Sequence, residues 1–178
     1  MSKIKIAITG KMGSGKSSLA KLISKIEDSY ITSFSSKIKD IIVSLDLEPN
    51  RIIMQETGDF FRSFDNVVWV NALLKETNSI SKCIIIDGIR YPFERDKLAL
   101  EGFKIIKIIS SDNLRRKRLE MRDKITITDN LWVEWNKHGT ELQIEQINSD
   151  FEIENNDTLE SLHQNLIQII QEIKEFKI

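Results

Sequence analysis

The stretch Gly10-Lys11-Met12-Gly13-Ser14-Gly15-Lys16-Ser17 fits the pattern G-x-x-x-x-G-K-[ST] at every fixed position. It constrains the fold more than any other feature, because this pattern has meaning only between a strand and a helix. Both neighbours are present. Lys3-Ile4-Lys5-Ile6-Ala7-Ile8-Thr9 alternates into a short apolar strand, and Ser18-Leu19-Ala20-Lys21-Leu22-Ile23 opens a helix. The glycines let the backbone curl so that successive N–H groups point inward, and the helix N-terminus adds partial positive charge. Such a P-loop cradles phosphates. Lys11, Met12, Gly13, Ser14, Gly15, Lys16, Ser17 and Ser18 are therefore the expected ATP-binding residues. Lys16 is expected to bridge the β- and γ-phosphates, and the Ser17 hydroxyl to meet a Mg²⁺ ion.

The rest of the chain alternates between strand and helix. Residues 30–34 read as a second strand, after which Ser35 or Ser36 caps a helix with Ile38, Ile41, Ile42 and Leu45 inward. Pro49 ends it, and two more helices are expected at 51–61 and 66–77. Residues 82–87 form a continuous apolar run closed by an acid, as in a parallel strand buried on both faces. Pro92 starts the next helix, residues 103–109 read as a fourth strand, and Asp112 opens a basic helix running to Arg122. Residues 123–137 show no clean period. Residues 139–149 read as helix and 151–154 as a fifth strand. The last helix carries a capping box, Asp157-x-x-Glu160, and an apolar stripe at Leu159, Leu162, Leu166, Ile169, Ile170 and Ile173.

The expected fold is α/β: a three-layer P-loop NTPase fold with an about five-stranded parallel sheet flanked by helices. At 178 residues, the whole of 1–178 is expected to be a single domain. Three helices between two strands exceed a simple crossover, so residues 35–80 are expected to form a helical substrate-binding insert. Residues 115–140 are expected to form a short lid.

Net charge is formally -1, so no global field draws the chain to nucleic acid or membrane, and neither is expected as a partner. The one cysteine, Cys83, leaves no internal disulfide and reads as a core thiol. The P-loop strand starts almost at the first residue, so no secretory leader is expected. No apolar run approaches the roughly 18 residues of a membrane span. A cytoplasmic protein, monomer or homodimer, is expected. His138 and His163 are too far apart to suggest a metal site, and Trp69, Trp132 and Trp135 read as packing residues. Asn136-Lys137-His138-Gly139 approaches the guanine motif N-K-x-D without its acid, and D-x-x-G does not occur, which disfavours a switch GTPase.

Asp87 ends a buried strand, where open α/β sheets bind ligands, and it is expected to hold a Mg²⁺-bound water or orient the acceptor. Arg90 emerges three residues later. In Thr57-Gly58-Asp59-Phe60-Phe61-Arg62, the arginine reads either as a solvated charge or as an anion ligand. The run Arg115-Arg116-Lys117-Arg118, with Arg122, reads as a solvated face, as a nucleic-acid patch, or as a stripe for a transferring phosphoryl group. The last fits best, because Arg115, Arg118 and Arg122 fall within about 60° on a helix.

Together these stretches resemble the P-loop nucleoside monophosphate kinases. They are most similar to the deoxynucleoside monophosphate kinases of bacteriophages, with adenylate and dephospho-coenzyme A kinases as relatives. Ser33-Phe34-Ser35 followed by Lys37 resembles the family's second strand and substrate helix. Thr57 to Arg62 is similar to T-G-D-x-[LF]-R, and Asp87 to Glu94 to D-x-R-x-P-x-E. His138-Gly139-Thr140-Glu141 and Asp150 to Asn156 resemble the closing H-x-[ST]-E and D-x-x-I-x-N segments. The resemblance implies transfer of the γ-phosphoryl of ATP to a (deoxy)nucleoside monophosphate. Lys16, Asp87, Arg118 and Arg122 would act in catalysis, Ser35, Lys37, Arg62 and Arg90 would hold the acceptor, and Ser17 and Asp87 would serve Mg²⁺. The alternatives are a kinase like the dephospho-coenzyme A kinases, or a non-kinase P-loop ATPase or nucleotide-binding module.

Overall fold

A computed structural model describes residues 3–137 and 139–175. The elements in order are β1 (Lys5–Thr9), α1 (Lys16–Ile26), β2 (Ser29–Ser33), α2 (Phe34–Ser44), α3 (Arg51–Phe64), α4 (Val68–Thr77) and β3 (Cys83–Ile89). They continue with α5 (Pro92–Leu100), β4 (Lys104–Ile109), α6 (Asp112–Asp123), α7 (Asp129–Lys137), α8 (Gly139–Glu145), β5 (Phe151–Glu154) and α9 (Leu159–Glu175). The five strands form one sheet in the order β2-β3-β1-β4-β5, and every pair is parallel.

The side-chain alternation of the strands produces the three layers. Ile6 and Ile8 of β1 and Ile85 of β3 point to the face covered by α1 and α9. Ala7 of β1 with Ile84 and Ile86 of β3 point to the opposite face, against α2, α4 and α5. Covering both faces makes β3 continuously apolar rather than alternating. The α9 stripe Leu162, Leu166, Ile169, Ile170 and Ile173 is buried, each side chain contributing about 1.5–3 kcal/mol to docking the helix. Cys83 is buried on the same side, as a core thiol.

Strand β1 lies at the centre, with β3 on one side and β4 on the other. Successive connections from it therefore leave in opposite directions, which opens a crevice at the strands' C-terminal ends. The P-loop follows β1 into that crevice.

Several local expectations differ. Helix α2 is capped two to three residues earlier than expected: the Ser33 side chain accepts from Ser36 N–H, and Ser36 Oγ accepts from Ser33 N–H. Ser36 is thus the inner half of a capping box, and Ser35 is left exposed on the first turn. The box Asp157-x-x-Glu160 does not form, because Thr158 Oγ1 accepts from Ser161 N–H and caps α9 instead. Leu159 is consequently exposed and outside the stripe. Residues 129–137 are helical as α7 although they lack a period, since none of its residues is buried. Helix α8 is shorter than the expected 139–149. The expected insert at 35–80 is only partly a separate unit. Ile38 and Ile42 of α2 and Trp69, Val70 and Leu73 of α4 pack on the sheet, so only α3 rides outside that layer.

Candidate functional site

The loop between β1 and α1 is tight enough to need glycine twice over. Gly13 and Gly15 have φ of 75° and 105°, which L side chains rarely adopt. A Cβ on Gly13 would also lie 2.6 Å from the Arg115 carbonyl oxygen, and one on Gly15 would lie 2.4 Å from Asn155 Nδ2. Gly15→Ala is expected to cost about 1–2 kcal/mol in backbone strain alone and to lower the melting temperature by about 2–8 °C. Thermal melts with and without ATP test this; an unchanged melt would mean that the loop tolerates a side chain there.

Neighbouring elements hold the loop on several sides. Asn155, just beyond β5, donates from Nδ2 to Ser14 O at 2.8 Å. Arg115 of α6 donates to Met12 O at 3.1 Å, and Met12 N–H donates to Glu141 of α8 at 3.0 Å. Lys11 pairs with Glu145 and turns away from the crevice. The Ser14 hydroxyl is buried and makes no hydrogen bond to another described residue. Lys16 Nζ curls back onto Gly10 O at 2.7 Å and Lys11 O at 3.1 Å. Burial of that ammonium, and next the nearby Arg90 charge, push its pKa down to about 7.

Asp87 sits beside the loop because β3 pairs in register with β1, Ile8 opposite Asp87. Ser17 Oγ donates to Asp87 Oδ2 at 2.6 Å. This hydroxyl and carboxylate make a hard, oxygen-only pair at the crevice mouth. Mg²⁺ favours one or two carboxylates together with waters and phosphate oxygens, so the donor set fits it. Among the described residues, no group of three or more His, Cys, Asp and Glu side chains makes another metal centre.

The loop opens on a cavity of about 1020 Å³. Met12, Gly13, Gly15, Lys16, Ser17 and Ser18 form its floor, with Asp87 beside them. Ser35, Arg62, Arg90, Arg118 and Arg122 line it as well. The fold therefore brings most of the expected site residues to one space. Arg62 is stacked over Tyr91 at 4.8 Å and bonds Glu94 at 3.1 Å and Asp59 at 3.4 Å. Arg90 bonds Glu141 at 2.8 Å. Glu94 has no exposed surface, and its second oxygen accepts from the N–H groups of Arg90 and Tyr91, capping α5. Burial pushes its pKa up, against the pull of Arg62.

Two placements differ from the sequence reading. Lys37 pairs with Glu76, which also accepts from Tyr30, and it does not reach the cavity wall. Arg115 is fully buried rather than part of a cationic stripe: it bonds Asp112 and Asn136 and lies 4.9 Å over the Trp132 ring. Arg118 bonds Ser110 Oγ at 2.8 Å and Asn155 O at 2.9 Å, and Arg122 pairs with Asp123 at 2.7 Å. His138 lies outside the described residues.

Three residues that the sequence reading did not assign belong to this site's frame: Glu94, Glu141 and Asn155. Each lies at or next to the end of one of the short stretches that carried the resemblance. A search for cations to meet phosphates passes over acids and amides whose work is to hold those cations and the loop.

A search of curated proteins gives no sequence match. Among solved structures, the fold is similar to shikimate kinase from Acinetobacter baumannii in complex with shikimate, with TM-score 0.65 and 15% identity over 99% of this chain and 96% of that one. A dephospho-CoA kinase from Campylobacter jejuni aligns with TM-score 0.59 and 17% identity over 99% and 100%. A gluconokinase from Sinorhizobium meliloti 1021 aligns with TM-score 0.58 and 14% identity over 98% of each chain. At such identities the likeness concerns the fold, which is that of small-molecule P-loop kinases. A family model described as an AAA domain matches residues 6–134, from β1 through the loop and the first four strands into α7. The chain belongs to that AAA-domain family of P-loop proteins.

Proposed function

We propose that the chain transfers the γ-phosphoryl group of ATP to a nucleoside or deoxynucleoside monophosphate. One observation carries the reading: Arg62 and Arg90 open on the same cavity as the P-loop, beside the apolar side chains Phe34, Ile38 and Met54. Guanidinium forks suit a phosphate, and apolar side chains suit the faces of a base. The loop amides and Lys16 hold the donor phosphates. Ser17 and Asp87 would hold Mg²⁺, which neutralises charge on the phosphates when bound. Arg118 and Arg122 also line the cavity and stabilise charge on the transferring group. Positioning does most of the work, since phosphoryl transfer asks little covalent chemistry of the protein.

A small-molecule acceptor, rather than nucleic acid, agrees with how the basic run is used. Arg115 is buried, Arg116 pairs with Asp129 and Glu120, and Arg118 bonds Asn155. A second reading, a hydroxyl acceptor as the names of the structural neighbours suggest, is favoured by one fact: both acceptor-side arginines already carry a carboxylate partner. A coupled ADP-release assay over nucleoside monophosphates, their deoxy forms and dephospho-coenzyme A separates the two. Turnover that rises steeply with a monophosphate supports the proposal. Turnover only with a hydroxyl acceptor gives the second reading, and ATP turnover indifferent to any acceptor makes the protein an ATPase.

In that assay Arg122→Ala is expected to lower kcat more than it raises either KM, because its contact strengthens as charge develops. Arg118→Ala is expected to do the same and also to loosen Asn155 from the loop, so its ATP KM rises too. Full activity in both variants would remove α6 from catalysis.

A further inference from the structure

Glu141 lies where a P-loop amide and a guanidinium converge. Its side chain is almost wholly buried, one carboxylate oxygen accepts from the P-loop amide of Met12 at 3.0 Å, and the other accepts from Arg90 at 2.8 Å. Its charge is also felt by Lys16. A loop amide, a guanidinium and the P-loop lysine are the groups that meet phosphate oxygens. Lys16 reaches the β- and γ-phosphates, and its Nζ rests on Gly10 O and Lys11 O, next to Met12. The carboxylate therefore lies at the terminal-phosphate end of the loop, not at the α1 end. One turn further along α8, Glu145 pairs with Lys11, so the helix is fastened along the loop by two acids.

We propose that Glu141 is an internal competitor of the terminal phosphate: in the empty protein it occupies the anion subsite formed by Met12 N–H, Arg90 and Lys16, and it must leave before ATP is fully seated. The proposal rests on the P-loop being a nucleotide site and adds a latch to it. It sets ATP and ADP apart. ATP carries the phosphate that needs the subsite and bears the cost of opening; ADP, one phosphate shorter, does not. Apparent affinity falls in proportion to the open fraction, so a latch open in about one molecule in ten weakens ATP about tenfold. Its release also unties Arg90, whose several N–H donors can then meet the terminal phosphate and an acceptor together, only when the donor is in place.

The test is calorimetric titration of ADP and of a non-hydrolysable ATP analogue, with Mg²⁺ and without acceptor, into wild type, Glu141→Gln and Glu141→Asp. Gln keeps the shape and loses the charge. Asp keeps the charge but is one methylene too short to span both partners. The expected result is ATP-analogue binding about tenfold tighter in both variants, with ADP binding within about twofold of wild type. Tightening in Glu141→Gln alone would mean plain charge repulsion and would overturn the latch. So would equal tightening of both nucleotides, or weakening of the analogue in both variants. A wild type that binds both nucleotides, with an ATP-to-ADP ratio that no variant changes, sinks the latch and leaves the phosphotransferase reading standing. A wild type that binds neither sinks both.

Discussion

Lys16→Ala is expected to lower kcat by on the order of 10²-fold or more, with a melting temperature within a few degrees of wild type. The ammonium is the only lysine lining the cavity among the described residues, and it bonds only two loop carbonyls. It supplies the positive charge on which the donor phosphates develop negative charge, and water is excluded there once the cavity is filled. Little stability should be lost, because the buried charge is itself costly. Its folded pKa of about 7 lies below the unfolded 10.5, so the folded protein binds fewer protons between those values and stability rises with pH across that window. The burial penalty is present in full below about pH 7, where alanine removes it.

The same depressed pKa gives a second readout. At about pH 8, above that value, most empty molecules hold a neutral Lys16, and bound phosphates restore its charge. ATP binding at that pH should therefore take up close to one proton, and much less at about pH 6. Calorimetry in buffers of different ionisation enthalpy measures this uptake directly. Near-normal turnover in Lys16→Ala would remove the P-loop as the catalytic donor site, whatever the proton count.

How much of this was legible in the sequence depended on whether the signal was local. The P-loop was, because glycine spacing, strand and helix all fall within about 20 contiguous residues. The sheet was nearly so: runs such as 82–87 are apolar because both faces are covered, and that pattern is written into the strand itself. The caps were misplaced by one to three residues because Ser33, Ser35, Ser36, Asp157 and Thr158 are all chemically able to cap, and backbone entry angle decides among them. Helix α7 carries no period because no face of it is buried.

The site's cations were legible as residue types, but their partners were not. Arg115, Arg118 and Arg122 share a helix face on paper, yet Arg115 is drawn inward by Met12 O, Asn136 and the Trp132 ring. Those partners come from distant parts of the chain, and only the fold brings them together. Lys37 was misread for the same reason, since it lies on α2 and Glu76 on α4, and the two helices meet only after folding.

Arg90→Ala and Arg62→Ala are expected to weaken acceptor binding by about 10- to 150-fold each, the loss of a charge-assisted contact worth about 1.5–3 kcal/mol. The two should differ in how the melting temperature responds. Arg90 is a third exposed, and its nearly buried partner Glu141 keeps its bond to Met12 N–H and the nearby Lys16 charge, so its removal should lower the melting temperature by less than that of Arg62. Arg62 is nearly buried, and its partner Glu94 has no exposed surface. Truncating it leaves a carboxylate inside the protein with only the amides of Arg90 and Tyr91 to answer it. Burial already raises that carboxyl's pKa, so it can take up a proton, which caps the damage at about 1–3 kcal/mol of stability. Adding Glu94→Gln to Arg62→Ala should restore much of the melting temperature without restoring acceptor affinity. Arg62→Lys should rescue stability better than binding, because lysine keeps the charge and loses the fork and the stacking on Tyr91. ATP affinity should hold in Arg62→Ala, whose side chain is not bonded to the loop. Separate titrations of ATP and acceptor, with a thermal melt of each variant, decide the matter. Should the double variant recover acceptor binding along with stability, Arg62 would be a structural brace for α5, and the acceptor phosphate would have to be met by Arg90 alone.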